Sequence, residues 1–95
     1  MDIQTSSSTI TITGNIKSVS DFQLIKKEVD SIVSNHHSLS MKLIDSLSMT
    51  SSVIGYLNKL VLKDGINVHM HIGNPCLLEL LDDLNLTSTF NAVKA

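Results

Sequence analysis

The sequence has little of what indicates a disulfide framework, a membrane anchor or a secreted protein. It has one proline, no tryptophan and a single cysteine, Cys76, which excludes an internal disulfide and is typical of a reducing compartment. No apolar run approaches the ~20 residues of a membrane-spanning helix. The N-terminal residues 1–8 have neither the basic region nor the apolar core of a signal peptide. We therefore expect a cytoplasmic protein without direct membrane insertion.

Charged residues are also scarce. They make up 17% of the chain against 42% hydrophobic residues, a balance typical of an ordinary globular domain. The seven basic residues are scattered, so we expect no basic face for nucleic acid or for an anionic membrane surface. A chain of 95 residues can bury one modest core and not two. We expect a single domain over residues 1–95, with its core at about 9–90, that is a monomer when free.

Hydrophobic periodicity predicts several strands. Residues 9–13 alternate threonine and isoleucine with period two, which is the clearest strand pattern in the chain, and residues 3–8 are a weaker candidate for an edge strand beside them. Further strands are predicted at 39–44 and 66–72. The run at 39–44 is largely apolar on both faces, which is typical of an interior strand of a parallel or mixed sheet.

Three helices are predicted between and after these strands, each marked by capping residues. Their starts lie at Ser18–Asp21, Ser46–Tyr56 and Asn74–Pro75, and their ends lie near 34–35, at 63–64 before Gly65, and at Asn85. Alternation of strands and helices implies crossover connections and parallel strand pairs. We therefore predict an α/β domain, a mixed β-sheet of about four strands covered by three to four helices.

The most informative stretch is Ser46–Tyr56, a serine-rich turn that follows a strand and opens the second helix. Free backbone N–H groups and the positive end of the helix dipole meet at such a junction, so it suits a phosphate or another anion. The simplest interpretation from the residues alone is that Ser51 and Ser52 are N-caps, each contributing about 1 kcal/mol.

The N-terminal part contains the strand pattern Ile10–Ile16 with Gly14, and the C-terminal part contains Asn74-Pro75, Leu81 six residues later, and Asn85–Phe90. Together these motifs resemble the STAS domain, the fold of bacterial anti-sigma factor antagonists and of the cytoplasmic tails of sulfate transporters. The first motif looks like the first core strand of the family and its glycine, and the others follow the spacing of its C-terminal part, with Asn85 where family members usually have Gly. The resemblance covers about residues 9–90. It implies a protein-binding regulatory domain that acts by partner switching with an anti-sigma factor kinase.

Phosphorylated antagonists carry Asp-Ser-Ser/Thr-Gly at the start of the second helix, where the partner kinase modifies a serine. The corresponding residues here are Thr50-Ser51-Ser52-Val53-Ile54-Gly55, with Thr50 in place of the aspartate and Val53 in place of the first glycine. The resemblance implies a partner-binding surface that starts at Ser51-Ser52 and includes Tyr56, Asn58 and Lys59 as exposed positions. The implied partner-binding residues are Thr50, Ser51, Ser52, Gly55, Tyr56 and Lys59.

The position of the phosphorylated serine stays open between three candidates, Ser51, Ser52 and Ser48. Ser48 enters because counting back from Gly65 in the family register places the motif nearer to it. Asp45-Ser46 is the only literal Asp-Ser pair in this region. We interpret Asp45 as the aspartate that ends the preceding strand in the family.

Other functions have weaker support from the residues. The absence of the family aspartate favours an alternative, a non-phosphorylated STAS adaptor subunit, for instance on the ATPase of a lipid transport system. An enzyme would need a nucleophile paired with a base, and nothing places Ser51 or Cys76 beside a histidine, so we expect no enzyme activity.

No metal site or cofactor is predicted either. His69 and His71 project from one strand face near Cys76, but the chain lacks the ligand spacing of a zinc site. The acidic residues Glu79, Asp82 and Asp83 are expected on a solvated helix face.

Overall fold

The structure is a five-stranded mixed sheet with three helices, seen in a computed structural model that describes all residues from Met1 to Ala95. Its strands are β1 (Asp2–Ser6), β2 (Thr9–Thr13), β3 (Ser38–Leu43), β4 (Asn67–Ile72) and β5 (Val93–Lys94), and its helices are α1 (Val19–Val33), α2 (Ser51–Leu62) and α3 (Pro75–Asp83). The predicted α/β class and mixed sheet are confirmed. The prediction of about four strands omits β5, because two residues are too few to leave a periodic pattern.

The strands lie in the sheet in the same order as along the chain. β1 and β2 form an antiparallel hairpin, while β2, β3, β4 and β5 run parallel to one another. Each parallel pair is joined by a crossover that contains one helix, as parallel pairing requires. All three helices therefore begin at the same edge of the sheet, where β2, β3 and β4 end.

The core lies on one face of the sheet. Alternate strand residues such as Ile10, Met41 and Met70 are fully buried in a single cluster to which all three helices contribute. The intervening residues, such as Lys42 and His69, lie on the opposite face, which is polar and carries no helix. In a sheet with one covered and one solvated face, apolar and polar residues alternate along each strand.

The prediction that the strand at 39–44 is apolar on both faces is therefore wrong. Leu39, Met41 and Leu43 are buried, whereas Ser38 and Lys42 are exposed on the open face. β3 is nevertheless an interior strand, because it pairs with β2 on one side and β4 on the other.

The helix starts follow the predicted capping chemistry in two of three cases. Ser18 accepts a hydrogen bond from the backbone N–H of Asp21 at 3.1 Å at the start of α1, and Asn74 accepts one from Cys76 at 2.8 Å at the start of α3. Asn85 follows α3 with a φ of 58°, the left-handed conformation expected there. No helix in the structure has the length and apolar character needed to cross a membrane.

Candidate functional site

The loop between β3 and α2 is tied to the turn that follows β2. The Asp45 carboxylate accepts a hydrogen bond from the Gly14 N–H at 2.6 Å, and the Ser46 hydroxyl donates to the Gly14 carbonyl at 2.7 Å. The Asn15 side-chain oxygen accepts a third bond from the Leu47 N–H at 3.0 Å. Gly14 has a φ of +91°, a conformation that favours glycine. Three tertiary hydrogen bonds thus set the path of the loop before α2 begins.

Gly73 holds the same loop from the other side. Its N–H donates to the Leu43 carbonyl at 2.9 Å, and a Cβ at this position would lie 2.1 Å from the carbonyl oxygen of Ile44. Only a residue without a side chain allows the end of β4 to approach the end of β3 this closely. The loop is therefore fixed between the turns that follow β2 and β4.

Thr50 is the N-cap of α2, not Ser51 or Ser52. Its hydroxyl oxygen accepts from the Val53 N–H at 3.3 Å, and its backbone is extended. The N-cap interpretation of Ser51 and Ser52 is therefore wrong. These two serines are the first two residues of the helix, both are exposed, and both hydroxyls are available to a partner molecule.

The remaining serines of the loop differ sharply in accessibility. Ser48 is exposed, whereas Ser46 is fully buried with its hydroxyl bonded to the Gly14 carbonyl. An enzyme that modifies a hydroxyl must reach it, so Ser46 serves the fold. Asp45 lies two residues after the end of β3, and its hydrogen bond to Gly14 anchors the loop.

Tyr56 is half-buried and joins α2 to α1, in contrast to its predicted exposure. Its hydroxyl donates a hydrogen bond to the Asp30 carboxylate, its ring meets Phe22 edge to face at 6.1 Å, and the Lys26 ammonium lies 5.6 Å from the ring centroid. Partial burial and the hydrogen bond to Asp30 raise the pKa of Tyr56. Tyr56 thus positions the site and presents only part of its ring to solvent.

Asp30 completes this contact between the helices. Its carboxylate also forms an ion pair with Lys26 at 2.8 Å. Partial burial opposes ionisation, but the hydrogen bonds from Lys26 and Tyr56 outweigh it and lower the pKa of Asp30. Neither Lys26 nor Asp30 was among the candidate residues, because the sequence does not indicate which side of α1 meets α2.

Four of the predicted contact residues lie on the outward face of α2. Ser51, Ser52, Gly55 and Lys59 are exposed at helical spacing, and nothing lies within 4 Å of a Cβ added at Gly55. The predicted contact residues Ser51, Ser52, Gly55 and Lys59 therefore share one exposed face, whereas Asn58 is half-buried. Leu62, 73% exposed, extends the same face and was not predicted as a contact residue.

Exposed apolar side chains occur at the start of α1 and in the loop that leads to α2. Val19 is 71% exposed, and Ile44 and Leu47 are each 50% exposed. A small groove of about 130 Å³ separates the starts of α1 and α2, and Lys17, Val19 and Ser52 are among its lining residues. Sequence reasoning missed the apolar residues, because an isolated apolar residue in a loop resembles one that is buried.

The histidines do not form a metal centre. His69 and His71 lie on the open face of the sheet, whereas Cys76 begins α3 on the helical side. Nowhere in the structure do three or more His, Cys, Asp or Glu side chains form a group suited to a metal ion.

Comparison with models of known protein families, with curated proteins and with solved structures finds no match to this chain. The resemblance to STAS domains therefore stays a prediction that rests on the sequence motifs.

Proposed function

We propose that this protein is a regulatory domain of the partner-switching type, which binds an anti-sigma factor kinase and thereby releases a sigma factor. The observation that carries the proposal is the surface at the start of α2, where free hydroxyls lie near exposed apolar side chains. We call it the α2 surface and define it by Ser51, Ser52, Gly55 and Lys59, with Val19 at the adjoining groove and Leu47 in the preceding loop.

The composition of the α2 surface suits a protein partner. A cluster of exposed apolar side chains with polar groups around it is typical of protein-binding sites. Single exposed apolar residues scattered over a surface do not indicate a binding site. The loop that carries Ile44 and Leu47 is held by hydrogen bonds to Gly14 and Asn15. A preorganised loop loses little conformational entropy on binding, which favours affinity.

Phosphorylation fits the same surface. A phosphate on Ser52 would add about two negative charges within the first turn of α2, where the helix dipole favours them. Lys17 lines the groove that Ser52 also lines, so a cation is available nearby. The modification would therefore leave the fold intact and act by changing the charge that the partner meets.

An adaptor subunit of a transporter ATPase is the second candidate, and Thr50 favours it. Its hydroxyl is committed to capping the Val53 N–H, and no carboxylate takes the place of the family aspartate beside Ser51. Thr50 would orient the acceptor hydroxyl, or bind the metal of a kinase nucleotide, less well than a carboxylate. An adaptor would use the same α2 surface without a phosphate.

Intact-mass spectrometry after incubation with ATP and the anti-sigma factor kinases of the source genome tests the proposal. We expect a gain of one phosphate that is lost in Ser51→Ala or Ser52→Ala. Ser20→Ala is the matched control, because Ser20 is an exposed second residue of α1 as Ser52 is of α2. Ser48→Ala tests the third candidate.

Binding measurements separate the two candidates. Partner switching predicts a complex between this protein and the kinase. Leu47→Asp should weaken that complex, and phosphorylation should dissociate it. The absence of phosphate with every such kinase, together with a stable complex with a transporter ATPase, would establish the adaptor and overturn the switching mechanism.

A further inference from the structure

A second groove, unrelated to the α2 surface, lies between α3 and β5 at the edge of the sheet. Its volume is about 550 Å³. The helical wall consists of Pro75, Leu78, Glu79 and Asp82, which are spaced i, i+3, i+4 and i+7 and therefore form one stripe of α3. This stripe is apolar at the start of the helix and acidic toward its end.

The other wall of the groove is an unpaired strand edge. β5 pairs with β4 on one side only. The Ala95 N–H donates to the Ile72 carbonyl at 2.9 Å, so the N–H and C=O of the preceding residue, Lys94, point away from β4. Free backbone groups beside a helix are what an extended peptide needs in order to add to a sheet as a further strand.

We propose that this groove binds an extended segment of a partner protein that carries apolar side chains and a lysine or arginine. The backbone of the segment pairs with Lys94, its apolar side chains contact Pro75 and Leu78, and its cation lies beside Glu79 and Asp82. Charge complementarity selects this occupant, because α3 contains no basic residue that would neutralise its carboxylates.

Lys94 also lines the groove, but it forms no ion pair with Glu79 or Asp82. It pairs with Ile72, three residues before Pro75, and therefore lies at the apolar end. The charge of Lys94 also makes a second copy of this chain an unfavourable occupant of the groove. In a two-fold pair of β5 strands the two Lys94 residues would face each other, and like charges directly opposite are destabilising.

Titration of the ¹⁵N-labelled protein with designed peptides tests the proposal. The basic probe is Ac-TKTVTVT-NH₂, in which the lysine and both valines share one side of an extended chain. An acidic probe replaces the lysine with glutamate, and a third probe is N-methylated throughout so that it cannot donate backbone hydrogen bonds.

The expected result is saturable binding of the basic probe, with chemical-shift changes at Leu78, Glu79, Val93 and Lys94. Asp82→Lys weakens the basic probe by about ten-fold and strengthens the acidic one. Asp83→Lys, the matched control on an exposed neighbour outside the groove, leaves both unchanged. The N-methylated probe does not bind.

Four outcomes would overturn the proposal. They are no saturable shift with the basic probe, equal binding of the basic and acidic probes, an Asp82→Lys variant with unchanged affinity, and equal binding of the N-methylated probe. Shifts at Val93 and Lys94 on dilution of the free protein would instead show that β5 pairs with a second copy.

Discussion

The hydroxyl of Tyr56 on α2 donates a hydrogen bond to the carboxylate of Asp30 on α1. The two residues are 26 positions apart in the sequence, and Phe22 packs edge to face on the same tyrosine ring. This contact joins the two helices whose first turns border the α2 surface. The orientation of that surface therefore depends on a side chain that the sequence suggested as a contact residue.

Tyr56→Phe removes this hydrogen bond and keeps the ring in place. We expect the free energy of unfolding at neutral pH to fall by about 1–2 kcal/mol, because the acceptor is charged. Urea denaturation measures the change. A double-mutant cycle with Asp30→Asn should show that the two substitutions are not additive, whereas additive effects would contradict a direct bond.

The same bond predicts a pH dependence. The pKa of Asp30 is lowered from the ordinary value of 3.8, so its ionised form stabilises the folded state above that value and the contribution is lost as the pH falls through the lowered pKa. The stability difference between the wild type and Tyr56→Phe should therefore be constant near neutral pH and shrink in acid below 3.8. A difference that persists undiminished in strong acid would show that Asp30 is not the acceptor.

Asp45→Ala and Ser46→Ala each remove a bond that ties the loop to Gly14. We expect each to lower stability by about 1–2 kcal/mol, since the Asp45 bond is charged and Ser46 is fully buried. Hydrogen exchange of residues 46–49 should also become faster. Asp83→Ala, which removes an exposed carboxylate from a helix end, is the control and should change neither property. Unchanged exchange in the Asp45 variant would mean that the tether does not hold the loop.

Substitution by alanine should have opposite effects on stability at Gly73 and at Gly55. Gly73→Ala places a Cβ 2.1 Å from the Ile44 carbonyl oxygen, where backbone must move, and we expect it to destabilise the fold by about 2–4 kcal/mol. Gly55→Ala meets no atom within 4 Å inside α2 and should stabilise it by about 0.5–1 kcal/mol. Thermal unfolding compares the two. Equal effects of the two variants would rule out the close approach at Gly73.

Thr50→Asp introduces, at the N-cap of α2, the aspartate that STAS antagonists carry at the resembling position. Aspartate caps at least as well as threonine and its charge favours the helix N-terminus, so stability should rise by up to about 1 kcal/mol. Under the switching proposal it should also speed phosphate transfer to the neighbouring serine. Thr50→Asn supplies a matched cap without charge, and equal rates in both variants would show that the carboxylate plays no part in the transfer.

Much of the fold could be predicted from local patterns. The alternation at Ile10 and Ile12, the Asn74-Pro75 start and the left-handed Asn85 each depend on a few neighbouring residues, and the structure confirms all three. The strand β5 could not be predicted in this way. It exists because β4 offers an edge to Val93 and Lys94, a partner that lies far away in the sequence.

The same division between local and tertiary information holds for the candidate site. The sequence determined that a serine-rich helix start follows a strand, because hydroxyl residues before an apolar repeat specify a capped helix locally. Only the tertiary structure decided that Thr50 caps the helix, that Ser46 is buried and that Tyr56 is held by Asp30. Caps and strands arise from neighbouring residues, whereas burial and the pairing of distant side chains depend on how the elements pack together.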